Sequence, residues 1–193
     1  MKKLSILSLS ILPLLFPSLA LAHDVAGGNG FMAGFSHPVL GFDHLLAMLS
    51  VGVLSAQLGG QAMWKVPTAF VVVMLFGGVL GMAGMQLFSV EQAIAFSVFA
   101  LGVAIAAAKQ APSIVAMLFV GFFALFHGNA HGLEMPHLSS PELYATGFII
   151  GTAAIHVAGV GIGLVARKFS DGSQLLRYVG AGIAGIGFHL FVM

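Results

Sequence analysis

Six runs of roughly 20 residues, at 36–57, 64–85, 89–109, 112–136, 141–167 and 175–193, are apolar over most of their length, and each is long enough for a helix to cross a hydrocarbon core of about 30 Å. No other feature restricts the fold as strongly. In a bilayer the backbone polar groups must be satisfied within each segment, so such runs fold as helices. Only 7% of the residues are charged, against about 25% in soluble domains. The expected fold class is an all-α integral membrane protein, with six transmembrane helices in one domain over residues 23–193.

Residues 1–22 stand outside that count. Lys2 and Lys3 precede an apolar run ending in Ala20-Leu21-Ala22, the pattern of a cleavable signal peptide. Pro13 and Pro17 argue against an uncleaved extra helix. Cleavage would leave His23 first, outside the cytoplasm. Residues 23–36 are Gly-rich and read as an exposed lead-in. Ser36 reads as an N-cap, with Pro38 in the first turn behind it. Gly59, Gly60 and Gln61 break this helix after about Gln57, and Ser89 with Gln92 reads as a capping box for the third span.

The loop charges orient the spans. Lys65, Lys109, Arg167, Lys168 and Arg177 fall at alternate connections, whereas Asp24, Glu91, Glu134 and Glu142 fall at the others. Cytoplasmic loops collect Lys and Arg, so both termini are expected outside a bacterial inner membrane. Trp64, Tyr144 and Tyr178 sit at span ends as aromatic anchors. Gly-x-x-x-Gly spacings at Gly77/Gly81, Gly147/Gly151 and Gly159/Gly163 read as close helix packing; a homo-oligomer is an open possibility that they do not assign. No basic patch points to nucleic acid.

Against this apolar background, His37-Pro-Val-Leu-Gly-Phe-Asp43-His44 and Phe126-His-Gly-Asn-Ala-His131-Gly-Leu-Glu134 place ionisable groups inside spans. Such a group near a helix centre costs roughly 2.5–3.5 kcal/mol on insertion scales, and it marks a path, a relay or a partnered site. On a helix His127, His131 and Glu134 share a face, as do His37 and His44, so two helices could offer nitrogens and carboxylate oxygens to one point. The topology puts both groups toward the outer surface. His189 lies near the outer end of the last span, and His156 lies deeper.

The chain has no cysteine, which removes disulfides and thiolate ligands together. Imidazole with carboxylate suits nickel, cobalt, zinc or iron. Asp43 is either a ligand or the acceptor that fixes the tautomer of a ligating histidine on another helix. At His23 a terminal amine beside an imidazole could chelate a divalent ion; an ordinary residue left by signal processing is the alternative. Met48, Met74, Met82 and Met117 read as core, with a thioether copper path as the alternative.

With these residues the chain resembles the HupE/UreJ family of nickel and cobalt permeases. The paired signature is His37-x5-Asp43-His44 and Phe126-His-Gly-x-Ala-His-Gly-x-Glu134. The resemblance implies a metal-handling role for His37, Asp43, His44, His127, His131 and Glu134. His156 and His189 are added as path residues by depth alone. The expected function is a secondary permease importing Ni2+ or Co2+, with no permanently bound cofactor, the divalent ion and the lipid bilayer as its partners, and indirect supply of a nickel-dependent enzyme. No Walker-type phosphate loop is present, so ATP hydrolysis is not expected of the chain, which reads as a non-enzyme. The alternatives are an intramembrane zinc hydrolase using His127 and His131 with Glu134 or Asp43 as base, and a bis-histidine haem protein.

Overall fold

The computed structural model describes residues 30–135 and 140–193, and among these the fold is all-helical. Seven helices follow one another: α1 (Gly30–Leu40), α2 (Phe42–Leu58), α3 (Ala62–Met82), α4 (Val90–Ala107), α5 (Ser113–Glu134), α6 (Pro141–Ala166) and α7 (Gly172–Val192). Helices α3 to α7 are each long and apolar enough to cross a bilayer, whereas α1 and α2 qualify only as a pair, bent by 80°. The chain is therefore a multi-pass helical membrane protein. The signal peptide at 1–22, His23 and the lead-in as far as residue 29, and His137 in the 136–139 loop, lie outside the described residues.

The break replaces the expected single helix over 36–57. Ser36 is no N-cap: it lies within α1, where its hydroxyl donates to the Met32 carbonyl at 2.9 Å. Pro38, which lacks an N–H, falls late in α1, and the chain turns at Gly41. Gly41 has φ −79° and ψ 107°, a conformation open to any residue, so its glycine serves space instead. A Cβ there would lie 3.0 Å from His44 Nδ1 and 3.3 Å from an Asp43 oxygen.

From Gly30 onward the expected lead-in is also helical, and its glycines have a packing reason. A Cβ on Gly34 would fall 2.0 Å from the Tyr144 carbonyl oxygen, and one on Gly147 would fall 2.0 Å from that of Phe31. Backbone meets backbone along this seam. Helix α2 continues down α6, with Gly159 against Leu49 and Gly163 against Ala56, so α1 and α2 lie end to end along one long helix and run in its direction. Helices α3 and α5 pair side by side in the same direction, and α4 and α7 pair in opposite directions. All six glycines of the three spaced pairs face another helix of the same chain. Close approach of this kind is how helices associate in lipid, where apolar burial supplies little.

The basic end of the bundle is stitched by its own side chains. Arg167 donates to the Ala56 carbonyl at 3.4 Å and Arg177 to the Ala106 carbonyl at 2.9 Å, while Gln57 reaches the Ile105 carbonyl at 3.2 Å. These bonds reach carbonyls in the last turns of α2 and α4, where a helix leaves acceptors over, although that of Ile105 also takes the Ala108 N–H at 3.2 Å. Two end signals differ from expectation. Ser89 takes a left-handed conformation, φ 52° and ψ 46°, and makes no side-chain cap, so the capping box with Gln92 does not form. Helix α7 starts at Gly172, three residues before the expected Leu175. Tyr144 is not an interfacial anchor, because it is buried between α1 and α6. Trp64 and Tyr178 are exposed, as anchors would be. Met48 and Met74 join the core, but Met82 is half exposed.

Candidate metal centre

Helix α5 sets the site through the glycine that follows each of its histidines. A Cβ on Gly128 would lie 1.8 Å from the Met74 carbonyl oxygen, and one on Gly132 would lie 2.1 Å from that of Gly78. Helix α5 therefore rests its backbone on α3. His127 and His131 are buried beside these contacts, His127 completely. The His127 ring is oriented by a hydrogen bond, with Nδ1 3.0 Å from the Phe123 carbonyl. A carbonyl can only accept, so Nδ1 carries the proton and Nε2 keeps a lone pair. That Nε2 is buried with no partner among the described residues, the configuration in which imidazole binds a metal.

His44 is prepared in the same way by its neighbour. Asp43 Oδ1 lies 2.8 Å from His44 Nδ1 and accepts the His44 backbone N–H at 2.8 Å as well. The carboxylate thus assigns the His44 tautomer, satisfies an N–H in the first turn of α2, and sits where the helix dipole favours negative charge. Sequence had left Asp43 as a ligand or as an orienter of a histidine on another helix. The structure places it beside the adjacent His44, whose Nε2 is again buried, with no partner among the described residues.

The break at Gly41 keeps His37 and His44 off any common helix face, yet both reach His131. Ring centroids are 4.6 Å apart for His37 and His131, 4.7 Å for His131 and His44, and 5.0 Å for His44 and His127. Four imidazoles from α1, α2 and α5 form a continuous column. At its mouth His37, His131 and the exposed Glu134 bring ligand atoms within 4.8 Å of one another. Tyr144 and Phe148 of α6 wall it, with Phe148 4.3 Å from the His131 ring.

At the other end the column stops at an aromatic ring. Phe70 of α3, fully buried, lies 5.5 Å from His127 and 5.0 Å from His156, edge to face with both. His156 is nearly inaccessible, and neither of its nitrogens has a partner among the described residues. His189 is not brought to this group: it lies exposed on α7, which packs against α4. Depth along a helix says nothing about the direction of a side chain, and His189 was placed by depth alone.

Sequence reasoning also missed Phe70, Phe148 and Asn129. Asn129, buried within the second motif, donates to the Met85 carbonyl at 2.7 Å and accepts the Leu87 N–H at 3.0 Å, tying the α3–α4 connection to the site helix. A polar amide deep in an apolar span was the available signal. For the two phenylalanines there was none among 17.

Fold and site define a helical multi-pass membrane protein that holds a buried file of imidazoles, with carboxylates beside it and at its mouth. The family model described as HupE / UreJ protein matches residues 11–190. Protein HupE of Rhizobium leguminosarum bv. viciae is 43% identical over 191 residues, covering 98% of this chain and 99% of that relative. The chain belongs to the HupE/UreJ family, generally one of nickel and cobalt transport. No solved structure matches it. Neither match supports a zinc hydrolase.

Proposed function

We propose that the protein is a secondary permease that brings a divalent transition-metal ion, Ni2+ foremost and Co2+ next, into a bacterial cell across the inner membrane. The supporting observation is the column of four histidines on three helices, with buried Nε2 lone pairs at His44 and His127 that have no partner among the described residues. Glu134 and His37, with His23 from the chain ahead of α1, collect and partly dehydrate the ion. His131, His44 and His127 then pass it inward past His156. Asp43 fixes the acceptor face of His44 and offsets the ion's charge without needing to bind it.

In this reading α1 and α2 make one crossing and five more follow, with both termini outside once the signal at 1–22 is removed. The helix directions fit alternating crossings, and the Arg167 and Arg177 bonds gather the basic groups at the cytoplasmic end. An inside-negative potential drives a divalent cation inward by about 4.6 kcal/mol per 100 mV, at about 2.3 per charge, so import needs no nucleotide. A mouth that ends in the exposed Glu134 suits a carrier, which must release what it binds. No cofactor stays bound, and the imported ion goes to a nickel-dependent enzyme.

The test is nickel accumulation by cells that lack their own importers and express either this chain or His127→Ala at equal levels, with cobalt, zinc and manganese as competitors. Uptake by the wild type and at least a ten-fold loss in the variant are expected. A well-inserted wild type that accumulates none of the four ions refutes the permease.

A further inference from the structure

A hydroxyl on an apolar helix commonly returns to a carbonyl three or four residues back, which satisfies it locally. Ser55 donates to the Val51 carbonyl at 2.6 Å, Ser97 to that of Ile94 at 2.6 Å and Thr146 to that of Glu142 at 2.8 Å. Thr152 makes no such bond. It is fully buried on α6, and its hydroxyl has no partner among the described residues. A buried hydroxyl in that state costs free energy, and a water or an ion that visits the site would satisfy it.

Its place along α6 says which visitor it meets. Phe148, one turn before Thr152, lies 4.3 Å from the His131 ring, and His156, one turn after it, lies 5.0 Å from the Phe70 ring that His127 also meets. Residues four apart share a helix face, so Thr152 faces the column between these two contacts. Helices α5 and α6 run in opposite directions here, and each advances about 6 Å in four residues. One turn inward from His131 is His127, and one turn inward from Phe148 is Thr152. The hydroxyl is therefore level with His127, whose Nε2, like that of His44, is buried with no partner among the described residues.

We propose that Thr152 is the oxygen contact of the transported ion at the inner end of the column, its hydroxyl accepting a hydrogen bond from a water that the divalent cation keeps while His44 and His127 bind it. This inference rests on the permease reading and deepens it, by naming a binding residue on a fourth helix. Two imidazoles leave coordination positions open, and a retained water fills them without a further charged side chain in the span. Water on a cation donates its hydrogens strongly and needs an acceptor, which Thr152 Oγ supplies. Being neutral, the hydroxyl holds the hydrated ion less firmly than a carboxylate would, as release requires.

Thr152→Val keeps the shape of the side chain and removes the hydroxyl, and Thr152→Ser keeps the hydroxyl. Thr146→Val, at an exposed position of the same helix, is the control. Nickel titration calorimetry and thermal unfolding are run on the full-length proteins in detergent, and nickel accumulation is measured in cells. Losing a hydrogen-bond partner just outside the ligands typically weakens metal binding about 10- to 100-fold. Thr152→Val should therefore bind nickel at least ten-fold more weakly, whereas Thr152→Ser and Thr146→Val stay within about three-fold of wild type. Thr152→Val should melt no lower than wild type, because a methyl group replaces a hydroxyl that had no partner.

A Thr152→Val affinity within about two-fold of wild type overturns the contact. So does a loss that Thr152→Ser shares in full, which would make the shape of the side chain matter and not its oxygen. A wild type that binds neither nickel nor cobalt overturns it as well. A chain that binds nickel in the expected pattern but accumulates none loses the permease reading and keeps the contact; one with His127-dependent uptake and an affinity indifferent to Thr152 loses the contact alone.

Discussion

Gly128→Ala adds one methyl group where α5 crosses α3, and the structure sets what must follow. The new Cβ would lie 1.8 Å from the Met74 carbonyl oxygen and 2.7 Å from its carbon, where ordinary contact begins at 3.4 Å. The shortfall of about 1.6 Å is against backbone on both sides, so no side-chain rotation relieves it and the helices must separate. Overpacking of this kind costs about 1–3 kcal/mol. On the soluble-protein scale of about 2–4 °C per kcal/mol, the melting temperature in detergent should fall by at least about 2 °C. His127 and His131 flank Gly128, and metal sites tolerate ligand displacements of only about 0.2 Å. Nickel affinity should therefore fall at least ten-fold. Gly182→Ala on α7 is the control, because nothing lies within 4 Å of its Cβ. Replacing a helical glycine by alanine gains up to about 1 kcal/mol, so this variant should melt at or above the wild-type temperature with its affinity unchanged. Thermal unfolding and nickel titration calorimetry of the three proteins decide the matter. A Gly128→Ala protein with wild-type melting and affinity would show that the α3–α5 contact does not position the histidines.

Asp43→Asn keeps the shape of the side chain and its ability to cap α2, but it offers an amide in place of the carboxylate that fixes the His44 tautomer. Losing an orienting partner of this kind typically costs 10- to 100-fold in metal affinity; a calorimetric affinity within two-fold of wild type refutes that role. Nickel binding should also weaken on acidification, because a protonated imidazole has no lone pair and its ordinary value is about 6.5. Binding that is flat between about pH 7.5 and about pH 5 counts against imidazole ligation.

The class of fold was legible because a hydrocarbon interior imposes its length and polarity on every span, and the boundaries of α3, α5 and α6 fall within a few residues of the turn signals at Gly59, Pro112 and Pro141. The site helix α5 was legible too, since spacing alone puts His127, His131 and Glu134 on one face. What was hidden was tertiary. Gly-rich sequence from Gly30 reads as loop until α6 is there to pack against it, and Pro38 suits a first turn as well as it suits the end of a short helix. Nothing local marks Gly41 as the corner. Nor does spacing along α7 reveal that His189 faces away from the column, which depends on α7 choosing α4 as its partner.

The corner at Gly41 bears on how the protein is made. A membrane accepts a nascent segment most readily as one straight apolar helix, with its backbone bonds closed from end to end. Neither α1, at 11 residues, nor α2, at 17, is long enough to cross a bilayer by itself. The surface that braces both pieces is α6, which is synthesised about a hundred residues later. The bent pair therefore owes its packing to the long helix near the end of the chain. Asp43 and His44 ride on α2, so their final positions depend on a helix that lies sixth in the chain.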